Sequence, residues 1–294
     1  MRRLGKAFAA LAFYLCCAAG LAGSELCAEG LRVVAAENFY GDIAAQIGGA
    51  RVSVKSLLSD PNVDPHEYES SVDDAKAVAD ALLVVENGGG YDDWMDHLLS
   101  ASPRKGRLLL KGYDLAVRRL PNNEHVWYDI DNALALAKAL SRALSSLDPA
   151  GAASYAGNLS SFAASLEPIR REMADIRSKD AGAPIGLTET IFLYQSEAMG
   201  LKSKTPFEFQ KAVAEGNDPP AEAIVEAERQ VRRREIRILI VNAQTVTPIT
   251  DRLKAEAETA GLPVVSVTET MPARLRYQDW MLGQLVALGK ALEP

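Results

Sequence analysis

The chain has 294 residues, which is enough for one large domain or for two lobes of ordinary size. Hydrophobic residues make up 48% of the chain and charged residues 24%, a composition that excludes disordered, collagen-like and disulfide-rich proteins. The formal net charge of −7 argues against a nucleic-acid partner, because an acidic surface is repelled by the phosphate backbone.

The N-terminus has the layout of a secretory signal peptide. Three basic side chains lie within the first six residues, an apolar run follows over 7–19, and small residues precede a cleavage point after Gly23 or Ala28. The apolar run is shorter than the roughly 20 residues that a membrane-spanning helix needs. We therefore predict a signal peptide at 1–28 and a mature protein in the periplasm.

All three cysteines of the chain, Cys16, Cys17 and Cys27, lie in or beside this segment. Cleavage after Ala28 leaves neither a disulfide framework nor a thiol nucleophile in the mature chain. Cys27 raises the alternative of a lipid anchor, but Leu26 stands where lipoprotein signals usually have a small residue. We therefore expect a mature protein without a lipid anchor.

The mature chain begins with strands that alternate with helices. Strands are predicted from apolar runs, and helices from apolar residues at helical spacing. The predicted strands are 31–36, 52–54, 82–85 and 107–110, and the predicted helices are 41–47, 72–81, 91–99 and 130–147. Such alternation indicates a mainly parallel sheet, and we assign these elements to an N-terminal α/β lobe at 29–147.

A long helical stretch follows this lobe. After Asp148 and Pro149, apolar residues recur at helical spacing as far as Ile176, and Pro168 is one of the few weak points in the pattern. A helix of about 28 residues is about 42 Å long, which is more than one lobe needs. We therefore predict a single long rigid linking helix at 148–179.

A second series of strands and helices follows the linking helix. The predicted strands are 184–187, 236–241 and 263–267, and the predicted helices are 221–234, 250–260 and 277–292. They form a C-terminal α/β lobe at 180–294. The predicted fold class is therefore α/β, with two small lobes that have mainly parallel sheets and are joined by one helix.

Two of the three histidines lie on loops of the first lobe. His66 lies in Asp-Pro-His-Glu-Tyr-Glu, where Pro65 stiffens the loop, and His125 lies just before the helix that starts at Ile130. Both loops leave the predicted sheet at the edge where α/β folds bind ligands. Each histidine alone is also compatible with an ordinary hydrogen-bonded loop residue, but the pair favours a common site.

The second lobe contains the motif Thr-Glu-Thr twice. Each copy follows a predicted strand, which brings Glu189 and Glu269 to matching strand ends of one sheet. The alternative is that each glutamate caps the helix or turn that follows. Two imidazoles and two carboxylates from opposite lobes are a ligand set typical of a first-row divalent metal. We therefore predict a metal site of His66, His125, Glu189 and Glu269 in the cleft between the lobes.

Two other motifs have simpler interpretations. The segment 91–97 contains three aspartates and His97, but helical spacing turns Trp94 and Leu98 inward and is expected to leave the acidic residues facing water. The run Asn-Gly-Gly-Gly at 87–90 is interpreted as a turn, because no Gly-Lys-Ser or Gly-Lys-Thr follows it.

The order of these motifs resembles the metal-binding solute receptors of bacterial zinc and manganese ABC transporters. The Asp-Pro-His and His-Val-Trp runs and the linking helix carry the resemblance, which covers essentially the whole mature chain. It implies two lobes, a rigid connecting helix, one metal ion in the cleft and ligands at the same four residues. In this family Glu189 stands where many zinc receptors have histidine, and Glu269 stands where aspartate is common.

The resemblance implies a binding protein with no catalytic residues. It captures a divalent cation and delivers it to an ABC permease in the inner membrane, with no nucleic-acid partner, and a monomer is expected. The Irving–Williams order favours Zn²⁺, whereas a carboxylate in place of a third histidine favours Mn²⁺ or Fe²⁺. We expect Mn²⁺ or Zn²⁺ as the transported ion, with Fe²⁺ as a further candidate.

Two other functions stay open at this point. A secreted zinc-dependent hydrolase needs an open coordination position for water and a general base nearby, which a closed set of four ligands does not offer. A surface adhesin with an incidental structural metal would account for a metal site without transport. An anchoring cysteine would favour cell adhesion, and Cys27 is poorly placed for that role.

Overall fold

The structure is a computed structural model, and it describes residues 30–60, 63, 65 and 68–293. The predicted signal peptide at 1–28 and the predicted ligand His66 lie outside the described residues. The lobe boundaries 29–147, 148–179 and 180–294 stay a prediction.

The first lobe is built on a parallel sheet of four described strands, in the order β2-β1-β3-β4. The predicted strands and helices of this lobe are all present, with moved boundaries and one additional short helix, α4. Its elements are β1 (Leu31–Glu37), α1 (Asn38–Gly48), β2 (Val52–Leu58), α2 (Val72–Asp80), β3 (Leu83–Glu86), α3 (Asp93–Ala101), β4 (Leu108–Lys111), α4 (Gly112–Leu115) and α5 (Ile130–Leu147).

Alternate residues of β1 face two different cores. Val33 and Ala35 pack with residues of α1 and α5, whereas Val34 and Ala36 pack with residues of α2 and α3. Successive side chains of a strand point to opposite faces, so a sheet that is covered on both sides needs a continuous apolar run. This requirement explains why β1 is apolar at both sets of positions.

The second lobe is also built on a parallel sheet of four described strands, in the order β6-β5-β7-β8. Three of its elements, α8, α9 and the two-residue strand β6, are absent from the sequence prediction. Its elements are β5 (Pro184–Leu187), α8 (Leu193–Met199), β6 (Lys202–Ser203), α9 (Phe207–Ala214), α10 (Ala221–Arg232), β7 (Leu239–Asn242), α11 (Pro248–Thr259), β8 (Val264–Val267) and α12 (Tyr277–Leu292).

The two sheets have the same topology. In each lobe the second strand lies on one side of the first, and the third and fourth strands lie on the other side. The connections therefore reverse direction between β1 and β3 and again between β5 and β7. Ligands of α/β folds bind at the carboxyl ends of the strands near such reversal points. The two parallel-sheet lobes confirm the predicted fold class.

The predicted linking helix is divided into α6 (Ala152–Ser165) and α7 (Glu167–Asp180). Pro168 has no N–H to donate to the preceding turn, and the N–H of Leu166 bonds Ala163 in a tighter turn at 3.3 Å. Helix α6 packs on α1 and α5 of the first lobe, whereas α7 packs on α8 and α12 of the second. The linker is therefore interrupted where it passes from one lobe to the other.

Leu166 at this junction is fully buried and belongs to the core that extends over both lobes. We expect Leu166→Ala to lower the free energy of unfolding by about 2–5 kcal/mol, because it removes apolar contacts and leaves a cavity. Urea denaturation measures the change. The control Val225→Ala alters a residue on α10 that is 59% exposed, and it should change stability by less than about 0.5 kcal/mol. Equal losses in the two variants would contradict the packing described here.

Candidate metal centre

Three of the four predicted ligands lie close together between the lobes. One nitrogen of His125 and one oxygen each of Glu189 and Glu269 lie within 4.8 Å of one another. All three residues are buried, with at most 1% of their surface exposed. One imidazole and two carboxylates at this spacing are able to bind a single first-row divalent ion.

The sheet of the second lobe places both glutamates at one edge. Glu189 lies two residues after β5 ends at Leu187, and Glu269 lies two residues after β8 ends at Val267. Strands β5 and β8 flank β7 in a parallel sheet, so their carboxyl ends lie at the same edge. The repeated Thr-Glu-Thr motif therefore brings the two carboxylates to one site, as predicted.

The orientation of His125 is set by hydrogen bonds at its Nδ1 atom. Nδ1 lies 3.0 Å from Oδ1 of Asn123 and 3.3 Å from Oγ1 of Thr190. When Nδ1 donates to the Asn123 oxygen, the lone pair of the neutral ring lies on Nε2. Nε2 is 4.0 Å from Oε2 of Glu269, so it faces the carboxylates. His125 is therefore oriented to bind a metal through Nε2.

Hydrogen-bond donors also orient the two carboxylates. Glu269 accepts hydrogen bonds from Oη of Tyr91 at 2.9 Å and from Nδ2 of Asn242 at 2.6 Å. Glu189 accepts one from Oγ1 of Thr245 at 3.0 Å. Tyr91 comes from the first lobe, whereas Asn242 and Thr245 lie at the end of β7 and just after it. Donors of this kind hold metal-binding carboxylates in place and are part of a metal site.

These three donors were missed in the sequence analysis. Asn242 and Thr245 occur at the carboxyl end of β7, so the rule that located the two glutamates could have found them. Tyr91 has no comparable signal, because its contact with Glu269 joins residues that are 178 positions apart. Only the packing of the lobes brings it to the site.

The prediction for the segment 91–97 is correct in part. Asp93 and His97 are exposed on α3, as expected for a solvated helix face. Asp92 is only 2% exposed, so the expectation that every acidic residue faces water was wrong. The reason is that Asp92 precedes α3 and accepts hydrogen bonds from the backbone N–H groups of Asn87 at 2.6 Å and Gly88 at 2.7 Å.

The turn after β3 depends on three glycines. Gly88, Gly89 and Gly90 have φ angles of 70°, 69° and 91°, a region that favours glycine because a Cβ atom is strained there. This path lets the chain return to Asp92, and Oδ1 of Asn87 accepts a hydrogen bond from Tyr40 at 2.7 Å. The predicted turn is thus confirmed, and it leads directly to Tyr91 at the site.

Two further buried acids end strands of the first sheet. Burial, followed by the charge of Asp92, raises the pKa of Glu37 well above its ordinary value. Burial also raises the pKa of Glu86 to about 7, although Lys111 lowers it. Both residues therefore retain a proton more readily than an exposed glutamate. Among the residues that the structure describes, the ligand cluster around His125 includes neither of them.

The sequence pattern of a known protein family matches residues 33–291 of this chain. The family is described as ZnuA, zinc-uptake complex component A, periplasmic. The chain belongs to the ZnuA family. This assignment confirms the resemblance found in the sequence.

Two of the named relatives come from streptococci. The manganese ABC transporter substrate-binding lipoprotein PsaA of Streptococcus mitis is 26% identical over 249 residues, which cover 79% of this chain and 80% of PsaA. The metal ABC transporter substrate-binding lipoprotein SloC of Streptococcus mutans is 25% identical over 252 residues, covering 80% of this chain and 79% of SloC.

Solved structures have the same fold. The periplasmic zinc-binding protein TroA of Treponema pallidum has a TM-score of 0.73 at 19% identity, covering 89% of this chain and 99% of TroA. The binding protein FpvC of P. aeruginosa, solved with Ni²⁺, has a TM-score of 0.74 at 20% identity, covering 90% of this chain and 97% of FpvC.

Thr245 tests whether the donors around the ligands contribute to metal binding. We expect Thr245→Val to raise the dissociation constant for Mn²⁺ about tenfold, because it removes the donor that orients Glu189. Calorimetric titration of the purified chain measures the constant. The control Thr259→Val makes the same replacement at an exposed position of α11 and should leave the affinity unchanged. Wild-type affinity in Thr245→Val would show that this hydrogen bond has no role.

Proposed function

We propose that this chain is the extracytoplasmic metal-binding component of an ABC importer, and that it delivers a divalent transition metal to a permease in the inner membrane. The observation that carries the proposal is the cluster of His125, Glu189 and Glu269, whose ligand atoms lie within 4.8 Å of one another. Membership of a family of zinc-uptake components supports it, as do the transport names of PsaA and SloC.

We further propose that His66 completes the ligand set. The described residue Val63, which precedes it by three positions, accepts a hydrogen bond at 3.1 Å from Nε2 of Gln244. Oε1 of the same Gln244 side chain accepts the backbone N–H of Glu269 at 2.7 Å. One amide therefore joins Val63, three residues before His66, with the backbone of Glu269, and this link supports the proposal that His66 completes the ligand set.

Charge and coordination favour binding over catalysis at this site. Two carboxylates neutralise the charge of a divalent ion in a buried pocket, and the imidazole and carboxylate groups replace its water ligands. A hydrolase would need an open position for water and a general base. A set of two histidines and two glutamates leaves no such position, and none of the names of PsaA, SloC, TroA or FpvC describes an enzyme.

We propose Mn²⁺ or Zn²⁺ as the transported ion, with Fe²⁺ as a further candidate. Carboxylates at two of the four positions suit Mn²⁺, and manganese is the ion in the name of PsaA. Zinc is the ion in the family description and in the name of TroA, and the Irving–Williams order gives Zn²⁺ the higher intrinsic affinity. Metal analysis of the protein isolated from its native envelope distinguishes the two ions.

We propose that the mature protein lies in the periplasm as a monomer, after cleavage at Ala28 and without a lipid anchor. Within the described residues, the helices are either too short or too polar to cross a bilayer. PsaA and SloC are named lipoproteins, so anchoring at Cys27 is the competing arrangement. We expect mass spectrometry of the mature native protein to find a chain that starts at Glu29. A lipid-modified Cys27 at the new N-terminus would contradict this.

The two loop histidines provide the sharpest test of the proposed site. We expect His125→Ala and His66→Ala each to raise the dissociation constant for Mn²⁺ by more than about 100-fold, because each removes a ligand. Calorimetric titration measures the constants, and circular dichroism verifies that the variants are folded. Wild-type binding should weaken as the pH falls, since a metal-bound imidazole must be unprotonated.

The third histidine is the matched control for these variants. His97 is exposed on α3, so His97→Ala should bind Mn²⁺ with wild-type affinity. Unchanged binding in His125→Ala would refute the proposed site. A large loss in His97→Ala would show that the ion binds elsewhere.

A further inference from the structure

One face of α1 forms hydrogen bonds with the second lobe. Asn38, Asp42 and Gln46 are spaced four residues apart, so their side chains lie along the same side of the helix. Each of them is half-buried and forms hydrogen bonds with a residue of the second lobe. The partners lie in the β8–α12 loop at 268–276, which carries Glu269, and in the first turn of α12.

Asn38 makes a two-point contact with this loop. Its Nδ2 donates to the carbonyl of Met271 at 2.7 Å, and its Oδ1 accepts the N–H of Met271 at 3.0 Å. Both backbone groups of a buried loop residue are thus satisfied by one side chain from the opposite lobe. Met271 lies two residues after Glu269, so the contact fixes the chain immediately beyond the proposed ligand.

Asp42 and Gln46 form hydrogen bonds with residues further along the second lobe, at the start of α12. Oδ2 of Asp42 accepts the N–H of Tyr277, the first residue of α12, at 2.8 Å, so Asp42 caps that helix from the other lobe. Gln46 and Gln278 exchange two amide hydrogen bonds, each 3.0 Å long. These contacts begin eight residues after Glu269, whereas the contact of Asn38 is two residues away from it.

The backbone of Glu269 itself is already held within its own lobe. Oε1 of Gln244 accepts the backbone N–H groups of Glu269 at 2.7 Å and of Thr270 at 3.0 Å. Asn38 adds a constraint at the next residue, Met271. The backbone from 269 to 271 is therefore held at consecutive positions, first by the second lobe and then by the first.

We propose that Asn38 is a positioning residue for metal binding, which holds the loop of Glu269 so that the carboxylate faces the ion. The inference rests on the proposed function, since it concerns Glu269 as a ligand. A ligand that is already oriented in the free protein loses less conformational freedom when the ion binds. Asn38 thereby makes the affinity of a second-lobe ligand depend on a helix of the first lobe.

Asn38→Ala tests the proposal by removing both hydrogen bonds to Met271. We expect the dissociation constant for Mn²⁺ to rise about tenfold, the size of effect that losing an outer support of a metal ligand produces. The matched control is Gln46→Ala, which also removes two hydrogen bonds between the lobes from the same face of α1. It should change the constant less than about twofold, because its partner is remote from Glu269.

Two further measurements separate positioning from general stability. The visible absorption bands of bound Co²⁺ report the geometry of its ligands, and they should shift in Asn38→Ala but not in Gln46→Ala. Asn38→Ala should also have no further effect on affinity when it is combined with Glu269→Ala, because Asn38 acts through that carboxylate. Thermal unfolding of the metal-free variants verifies that each is folded.

Three results would overturn the proposal: wild-type affinity in Asn38→Ala, an unchanged Co²⁺ spectrum, or an equal tenfold loss in the Glu269→Ala background. A different result would contradict the proposed function itself. If the wild-type chain bound neither Mn²⁺ nor Co²⁺, both the metal-binding function and the role of Asn38 would be refuted. Metal binding by the wild-type chain together with any of the three results would refute the role of Asn38 alone.

Discussion

Glu189 and Glu269 bring two carboxylates into one buried pocket, where like charges repel each other and have lost most of their hydration. Donors from Tyr91, Asn242 and Thr245 offset part of this penalty. A divalent cation bound at the proposed site would supply the remaining compensation, because its charge would balance both carboxylates at once. Both lobes contribute to this pocket, since Tyr91 and His125 come from the first lobe and the two glutamates come from the second.

The matching topology of the two sheets explains how one site draws on both lobes. Glu189 and Glu269 follow strands of the second sheet, and Tyr91 follows β3 of the first sheet, so segments after strands of both sheets meet at the site. The linker and the polar face of α1 also connect the two lobes. Helix α6 is packed on one lobe and α7 on the other, and Asn38 bonds Met271 within the β8–α12 loop while Asp42 bonds Tyr277 just after it.

Local sequence signals were enough to predict much of the fold and three residues that cluster between the lobes. Glu189 and Glu269 follow apolar strands, and strand ends of a parallel sheet lie at one edge, so the pattern favours their meeting but is also compatible with two capping residues. The two-residue strand β6 is too short to show a pattern, and one proline was not enough to predict the break at Leu166. Tyr91 and Asn38 act through contacts between distant parts of the chain, which only packing creates.

The location of the bound ion shows whether His125, Glu189 and Glu269 form one metal site. Crystals of the Mn²⁺-loaded chain, measured near the manganese absorption edge, reveal the ion by its anomalous scattering. We expect one strong peak per chain, at roughly 2.0–2.2 Å from Nε2 of His125 and from an oxygen of each of Glu189 and Glu269. A peak bonded to residues of one lobe only, or no peak between the lobes, would contradict it.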